Sequence, residues 1–235
     1  MPNIEAVIFD WGGTLSLFAD IDMADMWRMA ARHLAPERED ELCQRLISAE
    51  ERAWQRISVD QRAFKLAELL AAASTETGLD VAEAVLEEAA EHHLDSWTPH
   101  IVHDPDAVPT IAALRERGLR IGLLSNTHWP RHFHEHFLER DGLADLIDAR
   151  CYTSDMRYCK PHPEAFQAAM AGVGVDKPSA IVFVGDRPYD DIWGAKSLGM
   201  KAVLRPNSLV PDYQVAPDAV IQALPELVGL VDQWS

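Results

Sequence analysis

Cysteine, basic residues and long apolar runs are all scarce in this 235-residue chain, and each shortage closes off a class of protein. The three cysteines, Cys43, Cys151 and Cys159, are an odd number without paired spacing. That excludes a disulfide framework and fits reduced thiols in a cytoplasm. Lysine and arginine number 21 against 38 acids, leaving a formal net charge of -17. Such a balance excludes a general nucleic-acid binder and a protein held on an anionic membrane, both of which need a basic surface. No apolar run reaches about 18 residues, so no membrane span is expected, and the first residues carry neither the basic region nor the cleavage site of a signal peptide. Internal repeats and low-complexity segments are absent too. The expectation is a cytoplasmic globular protein, a monomer or homodimer, whose 48% hydrophobic content can fill one α/β domain or a core domain with a smaller insert.

What is present organises itself around Ile4-Glu5-Ala6-Val7-Ile8-Phe9-Asp10-Trp11-Gly12-Gly13-Thr14-Leu15. The β-branched and aromatic run reads as a buried strand that delivers Asp10 at its carboxyl end, where open α/β sheets hold their ligands. Gly12-Gly13 then permits a tight turn. From about Leu17 to Trp97 the texture changes to Ala, Leu, Glu and Arg at helical spacing, predicting helices over 22–34, 39–56, 61–77 and 81–97. Trp27, Trp54, Phe64 and Trp97 are expected as their packing anchors. After Pro99 strands and helices alternate, with strands expected over 120–124, 148–152, 180–184 and 201–204 and helices over 106–117, 131–139, 164–171, 190–198 and 224–231. This pattern predicts a parallel sheet with helices on both faces, built from 1–17 and 98–235, with a helical domain of 18–97 inserted after the first strand.

Parallel strands would bring Asp10, Ser125 and Asp186 to one sheet edge, with Lys160 on a loop beside them. The set has a chemical logic. One carboxylate attacks, another helps hold a divalent cation, and the lysine and hydroxyl steady negative charge on a transferred group. Oxygen ligands suit Mg²⁺, and Asp190 or Asp191 would complete its shell unless they serve only as cap and first turn of a helix.

Four ordered segments resemble the motifs of the haloacid dehalogenase (HAD) superfamily of hydrolases: Asp10-Trp11-Gly12-Gly13-Thr14-Leu15, Leu123-Leu124-Ser125-Asn126, Lys160-Pro161-His162-Pro163, and Val184-Gly185-Asp186 with Asp190-Asp191. The resemblance implies a Rossmann-like core with a C1-type helical cap. It also implies that Asp10 is a nucleophile forming an aspartyl intermediate, that Ser125 and Lys160 contact the phosphoryl group, and that Mg²⁺ is held by Asp10, Asp186, the Gly12 carbonyl and, by its spacing, Asp191. The expected substrate is a small phosphorylated metabolite. One departure matters: phosphatases of this superfamily carry a second aspartate, a general acid and base, where this chain has Gly12. A cap acid such as Asp20 or Asp22, a water, or an activated leaving group would have to stand in. Two other readings stay open. One is phosphonate or carbon–halogen cleavage by the same nucleophile. In that superfamily, phosphonate enzymes have a small residue at the Gly12 position, whereas dehalogenases have an aromatic there and need no Mg²⁺. Lys65 is the only lysine of the insert and is expected as an exposed helix residue. The other is a catalytically weakened fold that binds a ligand or partner.

Around this set, Thr14 would orient Asp10 or cap the next segment, and Asn126 would bond Asp10 or tie down its own loop. His128 would touch substrate or donate a proton. Arg187 and Tyr189 would reach the substrate mouth, or be a surface arginine and a packed tyrosine. His128, His132 and His136 recur every four residues with His134 between, which fits a solvated helix face better than a zinc site.

Overall fold

The structure, a computed structural model, describes residues 3–234. Its centre is β1 (Ala6–Phe9), whose four side chains are all buried. A strand buried on both faces needs a layer on each side, as parallel sheets have. The layers sort by alternation: Val7 and Phe9 face a core with Ile121, Leu123, Val182 and Val184, while Ala6 and Ile8 face another with Leu124, Phe166, Ile181 and Phe183.

The sheet is wholly parallel, in the order β3-β2-β1-β4-β5-β6. Here β2 is Arg120–Ser125, β3 Ala149–Tyr152, β4 Ile181–Gly185, β5 Lys201–Leu204 and β6 Ala219–Val220. The two-residue β6 was not expected, being too short to carry a period. The strand order reverses between β1 and β4, and Asp10 and Asp186 sit just past their carboxyl ends. That is the switch point where ligands bind in open sheets.

Between β1 and the second strand lie α1 (Met23–Leu34), α2 (Glu39–Asp60), α3 (Leu66–Glu76) and α4 (Glu83–Trp97). α1 packs on α2 and α4, and α3 closes the group by packing on α2 and α4. Trp27, Leu42 and Leu46 extend the first core into this insert. Two boundaries moved. The second helix runs four residues past the expected Arg56 because Ile57 is buried, and it stops at Gln61 in a left-handed conformation with φ 55°. The third starts at Leu66 rather than Gln61, because the intervening backbone is spent across the chain: Ala63 N–H donates to the Arg157 carbonyl (3.1 Å) and Cys159 N–H to the Gln61 carbonyl (2.8 Å). The insert is thereby tied to the segment carrying Lys160.

The remaining helices, α5 (Ala107–Glu116), α6 (Arg131–Arg140), α7 (Pro163–Val173), α8 (Gly194–Ser197) and α9 (Glu226–Trp234), cover the sheet. The helix expected over 190–198 is instead a widened π-helical turn over Pro188–Trp193 followed by the short α8. The turn widens because Ile192 N–H reaches back five residues to the Arg187 carbonyl. Such π segments concentrate at functional sites. Cys43 and Cys159 are buried, Cys151 is partly so, and all three are free thiols. No helix among the described residues is long and apolar enough to cross a membrane.

Candidate active site

Strand ends and one loop bring the four expected groups together. Lys160 Nζ is fully buried, 2.6 Å from Asp10 Oδ1 and 2.8 Å from Asp191 Oδ1. Oxygens of Asp10, Asp186 and Asp191 lie within 4.8 Å of one another. Ser125 is buried at the end of β2, the strand next to β1. The loops fit because two positions have no side chain. A Cβ on Gly13, whose φ is +78°, would strike the Asp186 carboxylate, and one on Gly185 would strike that of Asp191.

Three buried carboxylates facing one ammonium leave an excess of negative charge. Burial, with the neighbouring Asp191 adding to it against the pull of Lys160, pushes Asp10 up to about 6. Burial, then Asp10 and Asp191, push Asp186 up to about 7. Burial alone would lower the Lys160 ammonium, but Asp10 and Asp191 together raise it, so it stays charged. Asp186 Oδ2 accepts from Asn207 Nδ2 (3.0 Å), whereas its Oδ1 is buried without any partner. An unpartnered carboxylate oxygen beside two further carboxylates fits a small divalent cation with oxygen preference. Of the two candidate acids, Asp191 joins this cluster, accepting the Arg187 backbone N–H on Oδ2 (2.9 Å). Asp190 lies outside it, 3.9 Å from the Arg187 guanidinium.

Other expected residues landed differently. Asn126 neither bonds Asp10 nor stays within its loop: its Nδ2 donates to the Lys160 carbonyl (3.0 Å) and its Oδ1 accepts the Lys160 N–H (2.8 Å). It fixes the lysine loop. Thr14 is fully buried with its hydroxyl unpartnered, and its carbonyl accepts from Arg205 (2.6 Å). His128 is buried, and desolvation drops its imidazole to about 3. Its ring stacks 5.4 Å from Phe64 and lines the cavity between sheet edge and insert. The four-histidine face is not a solvated face either: His132 and His136 are exposed, but His134 is buried against Tyr152 (4.7 Å). Asp22 is spent on capping α1, accepting Ala24 N–H at 2.8 Å. Lys65 is exposed at the start of α3.

A cavity of about 450 Å³ opens between sheet edge and insert, with Gly12, Ser125, Asn126, Asp20 and Arg187 in its wall. A Cβ on Gly12 would meet nothing within 4 Å. Trp54 and Trp97, expected as packing anchors, do pack against the first core from half-buried positions and also line this cavity. Missed altogether were Asn207, in a turn after β5, and Trp11, whose indole N–H donates to His103 Nε2 (3.0 Å) while His103 Nδ1 meets Asp141 Oδ2 (2.6 Å).

The parallel sheet, the inserted helices and the aspartate–lysine cluster define a hydrolase of the α/β class with its site at the switch point. A family model of haloacid dehalogenase-like hydrolases matches residues 4–199, and the chain belongs to that family. A glyceraldehyde 3-phosphate phosphatase of Pyrococcus furiosus is 32% identical over 133 residues, 55% of this chain and 54% of that protein. The chain thus spans about half the length of such curated relatives. Among solved structures, a HAD phosphatase from Thermococcus onnurineus superposes with TM-score 0.67 and 26% identity, covering 97% of this chain and 98% of that one. A 2-haloacid dehalogenase from Pseudomonas syringae pv. Tomato reaches TM-score 0.73 and 27% identity over 99% and 100%.

Proposed function

We propose that the protein is a phosphatase that hydrolyses a small phosphorylated metabolite through an aspartyl-phosphate on Asp10. The observation that carries this reading is the buried Asp10–Lys160–Asp191 arrangement beside an Asp186 oxygen with no partner. Lys160 holds one Asp10 oxygen, fixing the carboxylate's rotamer and keeping it ionised for attack on phosphorus. As the oxygen–phosphorus bond forms, the ester's alcohol oxygen takes the electrons of the breaking bond and draws its proton from water in the cavity, since Gly12 offers none. Water then cleaves the acyl phosphate, releasing inorganic phosphate and restoring Asp10. Ser125 and the Asn126-braced lysine loop stabilise the negative charge on the transferred group. Asp10, Asp186 and the Gly12 carbonyl would hold Mg²⁺, with Asp191 supporting them, and the ion supplies neutralising charge for the phosphoryl oxygens. The helices of 18–97 serve as the cap over this site. Free thiols at Cys43, Cys151 and Cys159 suit the reducing cytoplasm.

The test is hydrolysis of p-nitrophenyl phosphate with and without Mg²⁺ by wild type and Asp10→Asn. Turnover should require both the ion and the carboxylate. Mg²⁺ should also raise the melting temperature of wild type but not of Asp186→Asn; at about 100 times its Kd the ion contributes about 2.7 kcal/mol. Cleavage of 2-haloacids without any metal would instead favour the carbon–halogen reading that the Pseudomonas-like fold keeps open.

A further inference from the structure

The cavity wall also holds groups that the hydrolysis of a phosphate ester does not use. In its wall stand Trp11, Trp54, Trp97 and Trp129 together with Glu50 of α2. Glu50 is only 8% exposed. Its Oε2 accepts the Trp27 indole N–H at 2.8 Å and its Oε1 the Trp54 indole N–H at 3.4 Å. Among the described residues no lysine or arginine forms an ion pair with it; His128 Nε2 lies 3.8 Å away, on a ring that burial keeps neutral, and His93, which also feels its charge, is lowered to about 3 by burial. Buried anions are ordinarily matched by a cation. Here the match is missing from the protein, and the carboxylate borders open space.

The other walls sharpen the point. Arg187 is the single arginine lining the cavity, no lysine lines it, and Asp20 adds another acid. An alcohol carrying a carboxylate or second phosphate would meet repulsion beyond the phosphoryl site. An organic cation would meet an anion and aromatic surfaces, the combination that holds quaternary ammonium groups. We propose that the alcohol portion of the substrate carries an alkylammonium group, and that Glu50 with the surrounding tryptophans binds it. This rests on the phosphatase reading for the other end of the same molecule.

The experiment compares phosphocholine with 3,3-dimethylbutyl phosphate, which has carbon in place of the charged nitrogen and nearly the same shape. Wild type should prefer phosphocholine by about tenfold or more in kcat/KM. Glu50→Gln should lower that ratio by about tenfold, to the residual preference set by the more acidic alcohol. Free choline should bind wild type in a calorimeter, and should bind Asp10→Asn, in which no turnover is needed, but not Glu50→Gln. A wild-type ratio near one, with both esters hydrolysed, overturns the proposal and leaves the phosphatase reading standing; that comparison needs no variant to fold. Equal loss on both esters in Glu50→Gln also overturns it, since Glu50 would then serve the chemistry or the fold. If neither ester is cleaved yet choline binds in a Glu50-dependent way, the cation site stands and the phosphatase reading falls.

Discussion

Replacing His134 with phenylalanine should make the protein less stable at pH 8 and more stable at pH 5. The imidazole is wholly buried, stacked on Tyr152 with 14° between the planes, and its Nε2 lies 3.0 Å from the Thr127 hydroxyl. Burial above all lowers it from 6.5 to about 3, with Arg131 and the other imidazoles around it, His128, His103 and His132, further opposing a positive charge there. The folded protein therefore resists the proton that the unfolded chain takes up below pH 6.5. A histidine with a depressed folded value contributes fully above the unfolded value and loses that contribution as pH falls toward the folded one. At pH 5, 1.5 units below the unfolded value, the loss is about 2 kcal/mol. His134→Phe keeps the stack and the volume but forfeits the Thr127 contact, worth about 1 kcal/mol. Wild type should thus lead by about 1 kcal/mol at pH 8 and trail by about the same at pH 5. Urea denaturation of both proteins at each pH measures the gap, and every other titrating group cancels between them. A gap that moves by less than about 0.5 kcal/mol would refute the argument, because it would mean that the buried ring titrates as it does in water.

Two further substitutions probe the site. Gly12→Asp has open space for its side chain and restores the acid that phosphatases of this superfamily carry there. Turnover of an unactivated alkyl phosphate should rise by about 10²-fold or more, and that of p-nitrophenyl phosphate by less, since its leaving group needs little protonation. Unchanged rates on both substrates would show that some other group already supplies the proton. Lys160→Met removes the one ammonium between Asp10 and Asp191 and should cost about 3–5 kcal/mol in chelated protein by urea denaturation, with a smaller loss in saturating Mg²⁺. A cost under about 1 kcal/mol would mean that the two acids are neutral in the metal-free protein.

The acid cluster at the sheet edge was legible because an apolar strand is easy to read and fixes the position of the residue at its end. Asp10, Ser125 and Asp186 each close an apolar run, so a parallel sheet alone brings them to one edge. Asp191 was separable from Asp190 only by spacing, and the π-helical turn that turns it inward has no sequence period to betray it. The Glu50 wall of the cavity was illegible for a different reason. Glu50 and Trp54 stand at i and i+4 on α2, the spacing of an ordinary amphipathic helix, and only the packing of α1 and α4 makes that face a cavity wall. His134 misled in the opposite sense. Four histidines in a polar stretch look solvated, yet its helix position points it to the side that covers β3. Asn126 could not be assigned because its partner, the Lys160 backbone, lies 34 residues away.

The two oddities of the molecule, an absent acid at position 12 and a buried carboxylate in the cavity wall with no lysine or arginine partner, become one feature when taken together. An ester's oxygen leaves more readily as its parent alcohol becomes more acidic, and the benefit of a general acid shrinks to match. An ammonium group two carbons from that oxygen withdraws electrons along the chain and stabilises the departing alkoxide. The cation that Glu50 is built to hold is therefore also the substituent that makes Gly12 tolerable. A neutral alcohol of the same shape would lose twice, once in binding and once in departure. Under the proposed phosphatase reading, selection of substrate at α2 would set what chemistry the sheet edge must supply, and Lys160, Ser125 and the acid cluster would supply all but the proton.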